Sequence, residues 1–208
     1  MTIKTRILRR TVRQFHHPTG IGGHLAGWQM GHRTSNVRRN QWAVGLLDLT
    51  PPGRLVELGC GPGVAVAAAA RRVTAGLVVG VDHSAVMVAQ ATWRNRAAVR
   101  AGRVRFVHSS VESLAAPDQP FDAALAVNNV TMWPEPEVRL REIGRMLRPG
   151  GRIALVSQPR CPGATAATST AAAEELTELL SAAGFVDLRT EMLELSPPVA
   201  CVVGVRGE

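Results

Sequence analysis

VELGCGPG at residues 56–63 and LVVGVD at residues 77–82 are the most informative stretches of this chain. The second is a short apolar run typical of a buried parallel strand, and the first reads as the end of such a strand that continues into glycines at 59, 61 and 63. A glycine turn between a strand and a helix lets a ligand approach the backbone closely. An acid about twenty residues later is placed to accept hydrogen bonds from a ribose diol. The two stretches predict a nucleoside pocket with Asp82 as the ribose acceptor.

The spacing of the glycines distinguishes between a dinucleotide and a nucleoside without a pyrophosphate as the ligand. A dinucleotide fingerprint reads G-x-G-x-x-G, whereas here the third glycine comes two residues after the second, and Glu57 precedes the turn. A carboxylate repels a pyrophosphate in a partly desolvated cleft but suits a ligand that carries an ammonium and a sulfonium. The string E-x-G-x-G-x-G closely resembles motif I of the class I S-adenosylmethionine-dependent methyltransferases, and the resemblance continues from there to the C-terminus.

That resemblance implies a set of cofactor contacts. Asp82 would accept hydrogen bonds from both ribose hydroxyls, and His83 would lie against the adenine edge. After the third strand Ser110 stands where relatives have an acid, so three ways of recognising adenine remain open: the Ser110 hydroxyl, the Val111 backbone and Glu112. The implied cofactor is S-adenosylmethionine, with S-adenosylhomocysteine as product, and its predicted contacts are Glu57, Gly59, Cys60, Gly61, Gly63, Asp82, His83, Ser110, Val111, Glu112 and Asn128.

Residues 121–129 resemble family motif IV. The resemblance implies that Asn128 borders both the methionine part of the cofactor and the methyl acceptor. Large side chains follow it, so the predicted acceptor contacts are Trp28, Asn129, Met132 and Trp133. Trp133 has an equally good interpretation as ordinary core filling. The segment lacks the Asn-Pro-Pro-aromatic pattern of base-amine methylation, and no Pro-Cys nucleophile occurs in the chain.

Strand-like and helix-like segments alternate along the chain, which predicts an α/β fold with helices on both faces of a mostly parallel sheet. The last two strands are joined through Pro197-Pro198, and so short a connection implies an antiparallel pair. We expect a Rossmann-like sheet of seven strands with the last one reversed. The predicted strands are 54–58, 77–82, 104–108, 121–128, 152–157, 185–195 and 199–206, and the predicted helices 64–74, 84–101, 137–147 and 174–183.

The net charge of +8 arises entirely within residues 1–47, which hold eight Lys or Arg and no acid. An amphipathic basic helix near the start predicts either docking on the domain or contact with an anionic membrane through residues 1–18. The glycine-rich stretch 20–31 suits a lid, and His24 or His32 would be the general base if the acceptor needs one. We therefore expect a basic helical cap or lid over residues 1–50 and a Rossmann-like domain over residues 51–208.

Composition limits the number of domains, the cellular location and the ligands that we expect. With 208 residues and 46% hydrophobic side chains, one well-buried core is expected. Three cysteines without a C-x-x-C pair and the lack of a long apolar run predict reduced thiols and a cytoplasmic location, with peripheral contact at the inner membrane face as an extension. The six histidines show no metal-ligand spacing, so no metal is predicted, and no nucleic acid partner is expected.

Three functions remain open. The first is methyl transfer by in-line displacement to a small, hydrophobic metabolite. The second is N-methylation of a lipid headgroup of the phosphatidylethanolamine type, since short phospholipid and ubiquinone-type methyltransferases are broadly similar. The third is a nicotinamide-dependent enzyme or a non-catalytic nucleoside-binding protein, which the glycine spacing disfavours. The sequence does not identify the acceptor or the oligomeric state.

Overall fold

A computed structural model describes residues 33–208 of the chain. These residues form seven strands and six α-helices, and a short 3-10 helix spans Val130–Met132. The strands are β1 Arg54–Leu58, β2 Leu77–Asp82, β3 Val104–His108, β4 Phe121–Val127, β5 Leu147–Ser157, β6 Phe185–Leu193 and β7 Val199–Arg206. The helices within the described residues are α1 Thr34–Gly45, α2 Val64–Ala69, α3 Ala85–Arg94, α4 Arg96–Arg100, α5 Pro136–Met146 and α6 Ala166–Ala182.

The strands form one sheet in the order β3-β2-β1-β4-β5-β7-β6. The pairs from β3 to β5 are parallel, while β7 runs antiparallel to both β5 and β6. This confirms the predicted Rossmann-like sheet with its last strand reversed. The order changes direction between β1 and β4, and in open α/β sheets ligands bind at the carboxyl ends of the strands at such a point.

Two cores lie on opposite faces of the sheet, because side chains alternate along each strand. Along β5, Ala154 and Val156 face the core beneath α1 and α2, which we call the first face. Ile153 and Leu155 face the core beneath α5 and α6, the second face. The helices on both faces confirm the predicted layering. Glu57 alternates with residues of the second face along β1, so it points toward the first.

Helix α1 packs on the first face through the buried residues Ala43 and Val44, with Leu47 just beyond its end. The part of the predicted lid that follows residue 33 therefore contributes to the hydrophobic core. This agrees with an ordinary packing role for that part. Residues 1–32 lie outside the described residues. The domain boundary at residue 50 and the lid itself stay predictions.

The predicted helix 84–101 is wrong in extent, because Asn95 interrupts it. The Asn95 side-chain amide donates to the carbonyl of Ala91 at 2.9 Å and to that of Gly63 at 3.1 Å. A side chain that competes for backbone groups in this way favours a break between helices. Ser84 does cap the first half, its Oγ accepting from the Met87 N–H at 3.4 Å.

The predicted helix 64–74 is too long, since α2 ends at Ala69. The Arg103 guanidinium donates to the carbonyl of Ala70 at 2.8 Å, and a cation at this end also favours the helix dipole. The helix predicted over 174–183 is too short, because α6 begins at Ala166. The Thr165 N–H donates to Thr168 Oγ1 at 3.2 Å, and the alanine-rich run that follows has high helix propensity.

Three strand boundaries also differ from the prediction. β5 begins at Leu147, so the proline and glycines at 149–151 lie within it, where the pairing with β4 shifts register. α5 accordingly runs over Pro136–Met146 rather than 137–147. β4 ends at Val127, because Asn128 takes a left-handed conformation with φ of 58°. β6 ends at Leu193 rather than residue 195.

Candidate functional site

The glycine turn after β1 is left-handed at each glycine, with φ of 67° at Gly59, 50° at Gly61 and 74° at Gly63. A Cβ on Gly63 would lie 2.7 Å from Asn95 Nδ2 and 2.9 Å from Ala91 Cβ, so this glycine lets α3 pack against the turn. A Cβ on Gly61 would have no neighbour within 4 Å. Open space beside a left-handed backbone at the sheet edge is what a closely approaching ligand requires.

Asn129 holds the turn from the β4 side. Its Nδ2 donates to the carbonyl of Leu58 at 2.6 Å and lies 3.4 Å from that of Gly59. A side chain at Gly59 would collide with the Asn129 amide. Asn129 Oδ1 is buried without a partner among the described residues. The predicted contact of Asn129 with the acceptor stays a prediction, and what the structure shows is its contact with the turn.

Asp82, at the end of β2, is oriented by two backbone groups. Its Oδ2 accepts from the Gly61 N–H at 2.8 Å and its Oδ1 from the Ser84 N–H at 2.9 Å. A carboxylate has about four acceptor positions, so both oxygens keep a free lone pair for a ligand hydroxyl. Asp82 is therefore fixed beside the open face of Gly61 with acceptor capacity to spare.

Glu57, the acid that precedes the turn, is 2% exposed. Burial raises the pKa of its carboxyl well above the usual value; the Val66 N–H and the charge of Arg39 oppose the shift, and Asp82 adds to it. Its Oε2 has no hydrogen-bond partner in the described part of the chain. A buried, under-satisfied carboxyl is where a cationic ligand group would gain most.

Cys60 lies within the turn and is buried. Burial raises the pKa of its thiol well above the usual value, and the charges of Glu57 and Asp82 raise it further. Its backbone N–H donates to the carbonyl of Val81 at 2.9 Å, which ties the turn to β2. A thiol with a raised pKa is a poor nucleophile, so Cys60 contributes backbone and shape to the site.

The residues predicted around adenine lie at the ends of β2 and β3. His83 Nδ1 is 3.8 Å from Asp82 Oδ1, and the His83 side chain is 45% exposed. Ser110 Oγ donates to Ser113 Oγ at 3.3 Å, and Val111 is half-buried. Glu112 is exposed and borders a surface depression that it shares with α5. Which of the three groups reads adenine stays a prediction.

The predicted acceptor contacts that follow β4 differ in their surroundings. Asn128 Oδ1 accepts from the Gln158 N–H at 2.7 Å, which joins the ends of β4 and β5. Met132 is 49% exposed, and Trp133 packs against the core of the second face. That packing agrees with the interpretation of Trp133 as core filling. Trp28, His24 and His32 lie outside the described residues.

A polar cluster at the end of β5 was missed by sequence reasoning. Arg39 is 6% exposed, and its Nη1 donates to Gln158 Oε1 at 3.0 Å. Arg160 Nη2 donates to the same oxygen at 2.8 Å and to Asn36 Oδ1 at 2.7 Å. The position of Gln158 and Arg160 directly after a predicted parallel strand was the available signal. Nothing in the spacing of α1 pointed to Arg39.

Two features are absent from the described residues, 33–208. None of the helices there is both long and apolar enough to cross a membrane. No group of three or more His, Cys, Asp or Glu side chains in that range is arranged to hold a metal ion.

Known proteins resemble this chain in sequence and in fold. A family model described as a methyltransferase domain matches residues 55–151, which include the glycine turn, Asp82 and the segment after β4. The chain is 28% identical over 176 residues to the uncharacterized methyltransferase YdaC of Bacillus subtilis (strain 168), covering 85% of this chain and 94% of that protein. The family model, this relative and the fold together support a class I S-adenosylmethionine-dependent methyltransferase.

One further relative resembles this methyltransferase in sequence, and one solved structure resembles it in fold. It is 35% identical over 123 residues to the 27-O-demethylrifamycin SV methyltransferase of Amycolatopsis mediterranei (strain S699), but spans only 44% of that protein's length. A crystal structure of a SAM-dependent methyltransferase from Aquifex aeolicus superposes with a TM-score of 0.70 at 17% identity, covering 88% of this chain and 98% of that one. At that identity the likeness concerns the fold.

S-adenosylmethionine is thus the cofactor, and the residues present fit it. The open face of Gly61 accommodates a closely approaching ligand, and Asp82 has acceptor positions for a ribose diol. The unpartnered Glu57 Oε2 suits a cationic methionine end. This methyltransferase would hold the cofactor between Glu57 and Asp82.

Proposed function

We propose that this methyltransferase transfers a methyl group to a small, hydrophobic acceptor that lies at the carboxyl ends of β1, β4 and β5. The observation that carries the proposal is the open face of Gly61 between the carboxyl groups of Glu57 and Asp82, which together fit the cofactor. The half-exposed Met132 beside that edge offers apolar surface to an acceptor. The relative named for 27-O-demethylrifamycin SV acts on a small molecule, which supports the same class.

When bound, S-adenosylmethionine supplies a methyl group on a positively charged sulfur, and an acceptor lone pair forms the new bond as the carbon–sulfur pair returns to sulfur. The chain mainly has to orient the two partners and exclude water. Asp82 fixes the nucleoside end through a carboxylate that Gly61 and Ser84 hold in place. Asn129 keeps the turn in register with β4, where the acceptor would lie.

Glu57 contributes electrostatically. Its carboxyl is buried beside the turn, so its charged form gains stability when a cation lies against it. Transfer removes the positive charge from sulfur, and that gain is lost with it. We therefore expect Glu57 to bind the charged donor more tightly than the neutral product. A neutral amine or an ionised oxygen as acceptor needs no base, while a protonated acceptor would need one, for which His24 and His32 remain the proposed candidates.

Cofactor-dependent labelling tests the proposal. Full-length protein is incubated with S-adenosylmethionine carrying a deuterated methyl group and with a fractionated metabolite extract, and mass spectrometry searches for labelled products. We expect a labelled apolar small molecule, and none with the Asp82→Asn variant. A product labelled equally by both proteins, or label only on macromolecules, would contradict the proposal.

The lipid-headgroup alternative depends on the basic residues 1–18. The family model and the relatives described above give no support to it or to a nicotinamide-dependent function. Co-sedimentation with anionic vesicles, comparing full-length protein with a version lacking residues 1–18, tests peripheral membrane contact. Sedimentation that is the same for both proteins removes the reason for a location at the inner membrane face.

A further inference from the structure

The cluster at the end of β5 brings two cations onto one neutral oxygen. Arg39 of α1 and Arg160 both donate to Gln158 Oε1, at 3.0 and 2.8 Å. The Gln158 Nε2 donates to the carbonyl of Pro197 at 2.9 Å, which fixes the direction of the amide and leaves its oxygen toward the guanidinium groups. The cluster is therefore held from three segments of the chain.

Within the described residues neither guanidinium has a carboxylate at ion-pair distance. Arg39 is 6% exposed, and its Nε is buried without a hydrogen-bond partner. Burial, followed by the charge of Arg160, lowers the pKa of Arg39 to about 10. Glu57 acts in the opposite direction, but its own raised pKa makes it a weak counterion. Buried charges are ordinarily paired, so this arrangement lacks an anion.

The location assigns that anion to the acceptor side of the site. Gln158 follows β5 directly, and its N–H is bonded to Asn128 at the end of β4. β5 is the second strand from β1, about 10 Å across the sheet from the strand that leads into the glycine turn. Arg160 is exposed at this edge, so a ligand can reach its guanidinium from solvent, next to the buried charge of Arg39.

We propose that Arg39 and Arg160 bind an anionic group of the methyl acceptor, a carboxylate or an oxyanion of similar size. This inference rests on the proposed function and narrows its substrate class to amphipathic acids. Guanidinium groups present planar pairs of donors that match the two oxygens of a carboxylate. The outer nitrogens of Arg160 supply the donors, and the buried guanidinium of Arg39, whose Nε has no partner, adds positive charge beside them, while Gln158 and Asn36 keep the side chains in place.

Matched pairs of acids and amides test the proposal on full-length protein saturated with S-adenosylhomocysteine. Benzoate and octanoate are titrated beside benzamide and octanamide, and binding is measured by calorimetry and thermal shift. We expect each acid to bind more tightly than its amide, and Arg160→Gln to weaken acid binding by about 10-fold or more, the loss of one charge-assisted hydrogen bond. Equal binding of acid and amide would overturn the proposal.

Arg38→Gln is the matched control, because Arg38 lies on α1, is exposed and carries the same charge. It should leave acid binding within about threefold of the wild-type value. An equal loss in Arg38→Gln and Arg160→Gln would show general charge attraction and overturn the proposal. Arg39→Gln removes a buried group and is used only if circular dichroism shows a folded protein; Arg160 is exposed and carries the test without it.

A second arm separates the acceptor from the carboxylate of the cofactor itself. S-adenosylhomocysteine has an amino-acid end, which 5′-methylthioadenosine lacks. We expect Arg160→Gln to leave the ratio of their dissociation constants within about threefold of the wild-type ratio. A selective loss for S-adenosylhomocysteine would assign the pair to the cofactor and overturn the proposal. Neither arm needs turnover, so failure of the labelling experiment with intact acid binding would count against the proposed function alone.

Discussion

Replacement of Asp82 by Asn perturbs the site at its best-defined contact. The wild-type carboxylate accepts from the Gly61 N–H at 2.8 Å and from the Ser84 N–H at 2.9 Å. An amide keeps one acceptor oxygen and places an NH₂ group against the other donor. Because a hydrogen bond to a charged group contributes about 1.5–3 kcal/mol, the free energy of unfolding of the empty protein should fall by about that amount.

The loss of cofactor affinity should be larger. Two ribose hydroxyls that donate to one carboxylate would contribute about 3–6 kcal/mol together; the replacement amide loses the charge for both bonds and the acceptor for one, so binding weakens by about 10²–10⁴-fold. Ligand at about 100 times its dissociation constant stabilises a protein by about 2.7 kcal/mol, or about 5–11 °C for a domain of this size. We expect S-adenosylhomocysteine to give a shift in this range with wild-type protein and almost none with Asp82→Asn at the same concentration.

Asp187→Asn is the control, since Asp187 is exposed on β6 and Asn tolerates its left-handed conformation, with φ of 50°. It should retain the wild-type thermal shift and the dissociation constant measured by calorimetry. A dissociation constant for Asp82→Asn within about threefold of the control would refute the ribose contact.

Three further outcomes are expected. Gly59→Ala places a side chain against Asn129 and should lower the free energy of unfolding by about 1–3 kcal/mol. Gly61→Ala meets open space, so it should lower the free energy of unfolding less and yet weaken S-adenosylhomocysteine binding. Equal losses of unfolding free energy for the two variants in chemical denaturation would contradict this. Burial raises the pKa of Glu57 in the folded protein, so its contribution to stability is present below the usual value of 4.5 and is lost as pH rises. Chemical denaturation at a series of pH values should therefore show Glu57→Gln becoming more stable relative to wild type above that pH. A difference in unfolding free energy that does not change with pH would contradict this. Cys161 is exposed and should react rapidly with a thiol reagent at pH 8, while Cys60 should react only on unfolding; fast labelling in Cys161→Ser would contradict the burial of the turn.

The fold was predictable because its strands are local in sequence and strongly apolar. Val78, Val79 and Val81 mark β2 without any knowledge of its neighbours, and the short connection before β7 dictates its reversal. The errors in the predicted helix boundaries occur where a contact with a residue distant in sequence determines the structure. The break at Asn95 depends on a bond to Gly63, thirty-two residues earlier, which no local pattern reveals.

The cofactor half of the site was predictable for the same reason. Glu57, the glycines and Asp82 lie in two short stretches, and parallel strands bring their carboxyl ends to one edge. The acceptor half depends on tertiary contacts instead. Arg39 reaches Gln158 across 119 positions of sequence, and its burial follows from how α1 packs on the first face. Charge and helical periodicity describe Arg39 and the exposed Arg38 alike, so only the fold distinguishes them.

The most direct test of the account is a crystal structure of the methyltransferase with S-adenosylhomocysteine. We expect the ribose hydroxyls within hydrogen-bond distance of both Asp82 oxygens, the ligand passing over Gly61, and the amino-acid end toward Glu57. A product molecule bound anywhere else on the sheet, or one whose ribose makes no contact with Asp82, would contradict it.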